Sequence, residues 1–136
     1  MKKQAGITMT IMLYLMAAIA IAYVIRIGGN YPTGVDTMCH VYKGDVLYHA
    51  IRQGNWYPLY DRFWYNGVQM MRYWAPLPVY FLVFCQAIAG GVDLEGYLVF
   101  VSLVFYLGAL VWLYIGIRKN RLVLGAFMGG LWFFMP

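Results

Sequence analysis

From Ile7 to Ile25 the chain runs for 19 residues without a charged side chain, and from Tyr97 to Ile117 it does so again for 21. About 20 consecutive apolar residues are what a helix needs to cross a bilayer. No water is available there, so each backbone N–H and C=O must be paired within the segment. Composition agrees with this constraint: 63% of residues are apolar and 11% charged, where a soluble domain carries about a quarter charged. A free cytosolic enzyme or a disordered tail is excluded because the charged surface is missing. A nucleic-acid binder gathers its cations on one solvated face, whereas here they lie between apolar runs despite a net charge of +5. The class is an integral membrane protein.

The expected architecture is all-α: three transmembrane helices at about 7–25, 75–90 and 97–117, and a truncated fourth at 122–136. A secretory signal competes for the first, through the small-residue pattern Ala20-Ile21-Ala22. A signal core spans 7 to 15 residues, and this run is longer and continues past those alanines, so a retained span is expected. The last run, Leu122 to Met135, would reach only about 21 Å, against a hydrocarbon core of about 30 Å. The expectation is therefore the N-terminal part, residues 1–136, of one larger polytopic membrane domain, with its C-terminal remainder missing. The two cysteines, Cys39 and Cys85, form no CxxC pair.

Residues 26–74 form the one extended polar loop. Gly28-Gly29-Asn30-Tyr31-Pro32-Thr33-Gly34 is rich in turn formers. Asp36 to Arg52 reads as a helix, with Thr33 or Asp36 as its cap and Gly54 as its end. Cys39, Tyr42, Val46 and Ala50 recur at helical spacing, which predicts an amphipathic helix on the membrane surface. Asp36, His40 and Lys43 stack on one face at i, i+4, i+7, and Asp45, His49 and Arg52 repeat that spacing nine residues later. Nine residues at about 100° each add half a turn, so the two polar stripes oppose each other. One should meet water and the other should face protein or a cavity that protein lines. Both can equally be solvated faces. The segment after Gly54 is aromatic, from Trp56 to Trp74, with a tight turn at Asn66-Gly67. Interfacial anchoring accounts for such aromatics; the functional reading is a stacking platform, with Arg62 and Arg72 able to hold a phosphate.

The ordered set from Gly34-Val35-Asp36 through His40 and Lys43, Gln53-Gly54-Asn55-Trp56-Tyr57-Pro58, Asn66-Gly67 and Tyr73-Trp74-Ala75-Pro76-Leu77-Pro78 resembles a known loop. It is similar to the first extracytoplasmic loop of GT-C-type membrane glycosyltransferases, and in particular to the 6-pyruvoyl-tetrahydropterin synthase-related membrane proteins. The likeness covers about residues 34 to 78. It implies transfer of a sugar from a polyprenyl-phosphate donor, with Asp36 and His40 as catalytic residues. Lys43, Arg62, Arg72, Trp56 and Tyr73 are then candidates for substrate binding. The cofactor stays open: a divalent metal ion would sit on Asp36, but Asp36 and His40 alone do not define a site. Many such enzymes carry a second acid directly after the first, where this chain has Thr37. Nothing in the residues points to pterin chemistry. The alternative is a non-catalytic polytopic protein, an assembly, transport or lipid-headgroup-binding partner.

The resemblance implies a prokaryotic cytoplasmic membrane, with the N-terminus cytoplasmic and the loop outside. Partners would be membrane lipid and a lipid-linked sugar donor, not nucleic acid. The charges oppose this orientation. With three crossings before Arg118, only Lys2 and Lys3 lie inside, while Arg26, Lys43, Arg52, Arg62, Arg72, Arg118, Lys119 and Arg121 lie outside. The N-in expectation is kept because the first helix usually sets orientation and the loop carries its own acids.

Overall fold

Proline and glycine set the boundaries of most helices in this chain. The computed structural model describes residues 2–32, 36–64, 67–73 and 75–135. It contains α1 (Lys2–Gly28), α2 (Thr37–Arg52), the single turn α3 (Met70–Tyr73), α4 (Pro76–Ala89), α5 (Leu94–Arg118) and α6 (Leu122–Trp132). No strand is present among the described residues. α1 and α5 are long and apolar enough to cross a membrane, and α4 and α6 are shorter apolar helices. α4, expected as a span, has 14 residues and so reaches about 21 Å. The helices form two compact units, one of residues 28–100 and one of 1–27 with 101–136.

In the unit of residues 28–100, α2 packs on α4. Leu47, Met71, Val79 and Val83 make the core, with Tyr48, Ile51 and Tyr80 against it. The face that packs is not the one the hydrophobic spacing singled out. Val41, Lys43, Gly44 and Leu47 are the buried positions of α2. Gly44 is the reason: a Cβ there would lie 2.7 Å from Leu82 Cδ2 and 3.3 Å from Gln86 Nε2. The missing side chain lets α4 approach, and α2 turns that side inward. At about 100° per residue, Asp36, His40, Lys43, Gly44, Leu47 and Ile51 all fall within roughly 100° of one another. The polar stripe and the packing face are one face.

α2 ends in a Schellman motif at Gly54 (φ 85°), with the Gly54 N–H donating to Ile51 O and the Asn55 N–H to Ala50 O, each at 2.9 Å. α4 carries Pro76 and Pro78 in its first turn and ends at Gly90 (φ 99°), where the Gly91 N–H donates to Gln86 O at 2.9 Å. The Asp93 carboxylate then caps α5 by accepting the Gly96 N–H at 3.0 Å. Gly96 lies against Gln86, and Phe81 and Phe100 meet at 5.6 Å, so α4 and the start of α5 form an antiparallel hairpin.

In the unit of residues 1–27 with 101–136, Tyr14, Ala109 and Leu113 form a core with Ile11, Tyr106, Leu110, Ile117 and Leu122 around it. Ser102 donates to Ala18 O at 3.5 Å, Tyr14 donates to Ala126 O at 2.6 Å, and Lys3 shares a groove with Arg121. Rising numbers on α1 meet falling numbers on α5: the two long helices are antiparallel. α5 and α6 join through a second Schellman end at Asn120 (φ 54°), with the Arg121 N–H on Gly116 O at 2.8 Å. The two helices touch backbone to backbone, since a Cβ at Gly125 would lie 2.6 Å from Gly116 Cα and 2.8 Å from Trp112 O. Gly129, one turn on, faces Ala109 O and the Tyr14 hydroxyl. This Gly-x-x-x-Gly stripe is the small-residue device that lets membrane helices pack closely.

Candidate functional site

Asp36 sits at the N-cap of α2 with its side chain making no capping bond; the His40 N–H donates to the Asp36 carbonyl at 2.9 Å. One turn apart, both side chains line a cleft of about 560 Å³. Thr37 completes the polar lip. Pro78, Val79 and Leu82 of α4 and Tyr97 and Phe100 of α5 make the rest of the wall, which is apolar and aromatic. Polar groups from one helix thus face an apolar wall from a helical hairpin. Such a cleft suits an amphiphile, with its polar end at Asp36 and His40 and its chain along α4 and α5.

The remaining residues singled out from the sequence are dispersed. Lys43, two turns from Asp36, is 2% exposed inside the unit rather than at the cleft. Arg62 lies over the Phe63 ring at 4.6 Å. Arg72 donates to Gln69 Oε1 at 3.1 Å and lines a separate hollow of about 340 Å³ with Tyr57, Leu59, Gln69 and Met71. Trp56 is exposed, and its carbonyl accepts the Tyr80 hydroxyl. The Tyr73 side chain, Thr33 and Asn66 lie outside the described residues. On the second stripe of α2, His49 and Arg52 are exposed, as Asp36 and His40 are on the first, and His49 Nε2 meets Asp45 Oδ1 at 3.1 Å. Arg52 lies over Tyr48 at 5.9 Å.

A carboxylate that sequence reasoning passed over holds the aromatic segment to α2. Asp61 is 7% exposed. Its Oδ2 accepts the Tyr42 hydroxyl at 2.7 Å and its Oδ1 accepts the Phe63 N–H at 3.1 Å. Its backbone pairs with Val68, each N–H donating to the other's carbonyl at 2.9 Å. Trp64 meets the Tyr42 ring at 4.8 Å, tilted by 43°. Burial, with the Asp61 hydrogen bond and charge behind it, pushes the Tyr42 phenol up to about 12. Gly67 (φ 116°) closes the turn, in a space that the Tyr60 ring denies to any Cβ. Near α5, Tyr31 meets Tyr97 edge-on at 5.3 Å. Burial first, then the Asp93 and Asp45 carboxylates, raises the Tyr31 phenol above its ordinary range.

The cleft offers one carboxylate and one imidazole, and among the described residues no three His, Cys, Asp or Glu side chains group as ligands. Zinc takes at least three protein donors, so these two do not make a zinc site, whereas magnesium is held by one or two carboxylates with water and substrate phosphate.

Residues 71–136 match the family model described as 6-pyruvoyl-tetrahydropterin synthase related domain, membrane protein. No curated protein and no solved structure matches the chain. The matched segment runs from α3 through α4, α5 and α6, and so meets the loop resemblance of residues 34–78 only at its end. The match covers just under half of the chain and, with the two long apolar helices, supports a membrane protein.

Proposed function

We propose that this chain forms part of a GT-C-like membrane glycosyltransferase, with the Asp36–His40 cleft as its acceptor side. The observation that carries the reading is the pairing of a carboxylate lip with an apolar wall in one cleft. The acceptor hydroxyl oxygen attacks the anomeric carbon of a polyprenyl-phosphate sugar. The bond from that carbon to the phosphate oxygen breaks, its electron pair leaving with polyprenyl phosphate. Asp36 takes the acceptor proton, and His40 stands beside it to hydrogen-bond the departing phosphate. The wall of Val79, Leu82 and Phe100 receives apolar chain.

The cleft must then lie outside the cytoplasm, and the helix directions support that. α1 and α5 are antiparallel, so the chain leaves α1 and enters α5 on one side, and residues 29–93 cross an even number of times. Among the described residues of that stretch α4 is the one apolar helix, so in this topology it does not cross alone. In this reading two crossings precede Arg118. Lys2, Lys3, Arg118, Lys119 and Arg121 then share one side. The segment 29–93 exceeds the roughly 60 residues over which loop charges set orientation. Near the span ends that side carries Arg26, in the last turn of α1, and Lys43 against those five, and the positive side is cytoplasmic.

Asp36→Asn in the full-length protein, assayed for transfer from a polyprenyl-phosphate sugar, is expected to lose about a hundredfold or more at unchanged membrane abundance. Asp45→Asn, on the opposite face, should retain transfer. Undiminished transfer by Asp36→Asn refutes the base assignment. A reporter fused after Gly67 that is active in the cytoplasm refutes the topology.

A further inference from the structure

A second concavity lies beside the start of α1. Lys3, Asn120 and Arg121 border an open groove of about 750 Å³, whose floor is built by α6 with Leu124 and Phe127. Both apolar side chains are exposed, at 50% and 61%. Arg121 is held by its backbone on both sides: its N–H bonds Gly116 O at 2.8 Å and its carbonyl accepts the Gly125 N–H at 3.0 Å. Its guanidinium therefore leaves the chain from a fixed point beside Lys3. No Asp or Glu occurs in residues 1–27 or 101–136, while Lys2, Lys3, Arg26, Arg118, Lys119 and Arg121 all do.

We propose that this groove is a binding site for an anionic phospholipid. α1 and α5 have the length and composition of crossing helices, which places the start of α1 and the end of α5 at headgroup level. The lipid phosphate sits between the Lys3 ammonium and the Arg121 guanidinium, where two cations converge and no carboxylate of the same unit competes. One acyl chain follows Leu124 and Phe127 down α6. A cation pair over an apolar floor matches the two parts of such a lipid: the headgroup needs the charges and the chain needs the exposed side chains below them. The glycosyltransferase reading plays no part in this assignment.

The test is native mass spectrometry of the full chain released from bilayers with phosphatidylcholine in excess of phosphatidylglycerol. The wild type should retain phosphatidylglycerol about tenfold above its bulk share, two cations near the headgroup each contributing a several-fold preference. Lys3→Gln with Arg121→Gln should bring retention back to the bulk ratio. Arg118→Gln with Lys119→Gln removes the same charge without touching the groove and should keep the enrichment. Equal loss in both pairs refutes a defined site, because diffuse attraction alone would give it. So does absence of enrichment in the wild type, or displacement of the lipid by millimolar inorganic phosphate. Helicity by circular dichroism, unchanged in both pairs, separates loss of lipid from loss of fold.

Discussion

Replacing Gly125 with Ala tests the α5–α6 contact directly. The added Cβ would lie 2.6 Å from Gly116 Cα and 2.8 Å from Trp112 O. Both partners are backbone atoms, which cannot rotate away, so the helices must separate by roughly 1 Å to restore ordinary contact. Overpacking of this kind costs about 1–3 kcal/mol. Against it, Gly to Ala inside a helix gains about 0.5–1 kcal/mol. Gly130, five residues on in the same helix, meets nothing within 4 Å, so Gly130→Ala keeps the gain without the clash. The two variants should therefore move in opposite directions, separated by about 1–3 kcal/mol, or up to about a hundredfold in the unfolding constant. The assay is reversible unfolding in mixed micelles, followed by far-UV circular dichroism and by Trp132 fluorescence. A Gly125→Ala protein as stable as Gly130→Ala would show that the helices do not approach as described.

Tyr42→Phe should destabilise the unit of residues 28–100 by about 1–2 kcal/mol, because it leaves a buried carboxylate oxygen of Asp61 without its donor; chemical unfolding measures it. The Tyr42 phenol stands at about 12 against an ordinary 10.0. Folding thus favours the neutral form, so this stabilisation is full below pH 10 and is lost as pH rises through about 12. Phenolate absorbance and the unfolding midpoint should change together across that window, and Tyr42→Phe should flatten the stability change. Gly67→Ala should cost at least about 1–2 kcal/mol, since it strains a positive φ and also collides with Tyr60; the Asp61–Val68 amides would then lose hydrogen-exchange protection. His49→Ala should change stability by under about 0.5 kcal/mol, as its pair with Asp45 is solvent-exposed.

The long spans were legible because a bilayer demands uninterrupted apolar length, and α1 and α5 contain the two runs that have it. The ends of α2 were legible too, through Asp36 and the left-handed Gly54. The packing face of α2 was not. Hydrophobic spacing gives Gly44 no weight, yet its lack of a side chain decides which side meets α4, and it carries Lys43 inward with it. α4 reads as a span from its side chains, and its 14 residues give a helix shorter than the hydrocarbon core. The pairing of Asp36 with His40 follows from helical spacing alone. The apolar wall opposite them depends on a hairpin between α4 and α5 that spacing does not reveal. Asp61 was missed among aromatic residues, although Asp61-Arg62-Phe63 before a glycine turn has the pattern of a carboxylate bonding the N–H two residues on. The Gly-x-x-x-Gly step of α6 was also readable.

The antiparallel course of α1 and α5 also has a consequence for synthesis. In the proposed topology, with the N-terminus cytoplasmic, α1 opens translocation and the following 65 residues, 29–93, pass through before α5 leaves the ribosome and halts transfer. All five acidic residues of the chain lie at or before Glu95, so in that topology every carboxylate is exported or sits at the exit of α5, and the whole net charge of +5 remains behind. The cleft unit therefore folds with only the first turns of α5 still to arrive. Its last wall, Tyr97 and Phe100, is delivered by the same helix that ends export.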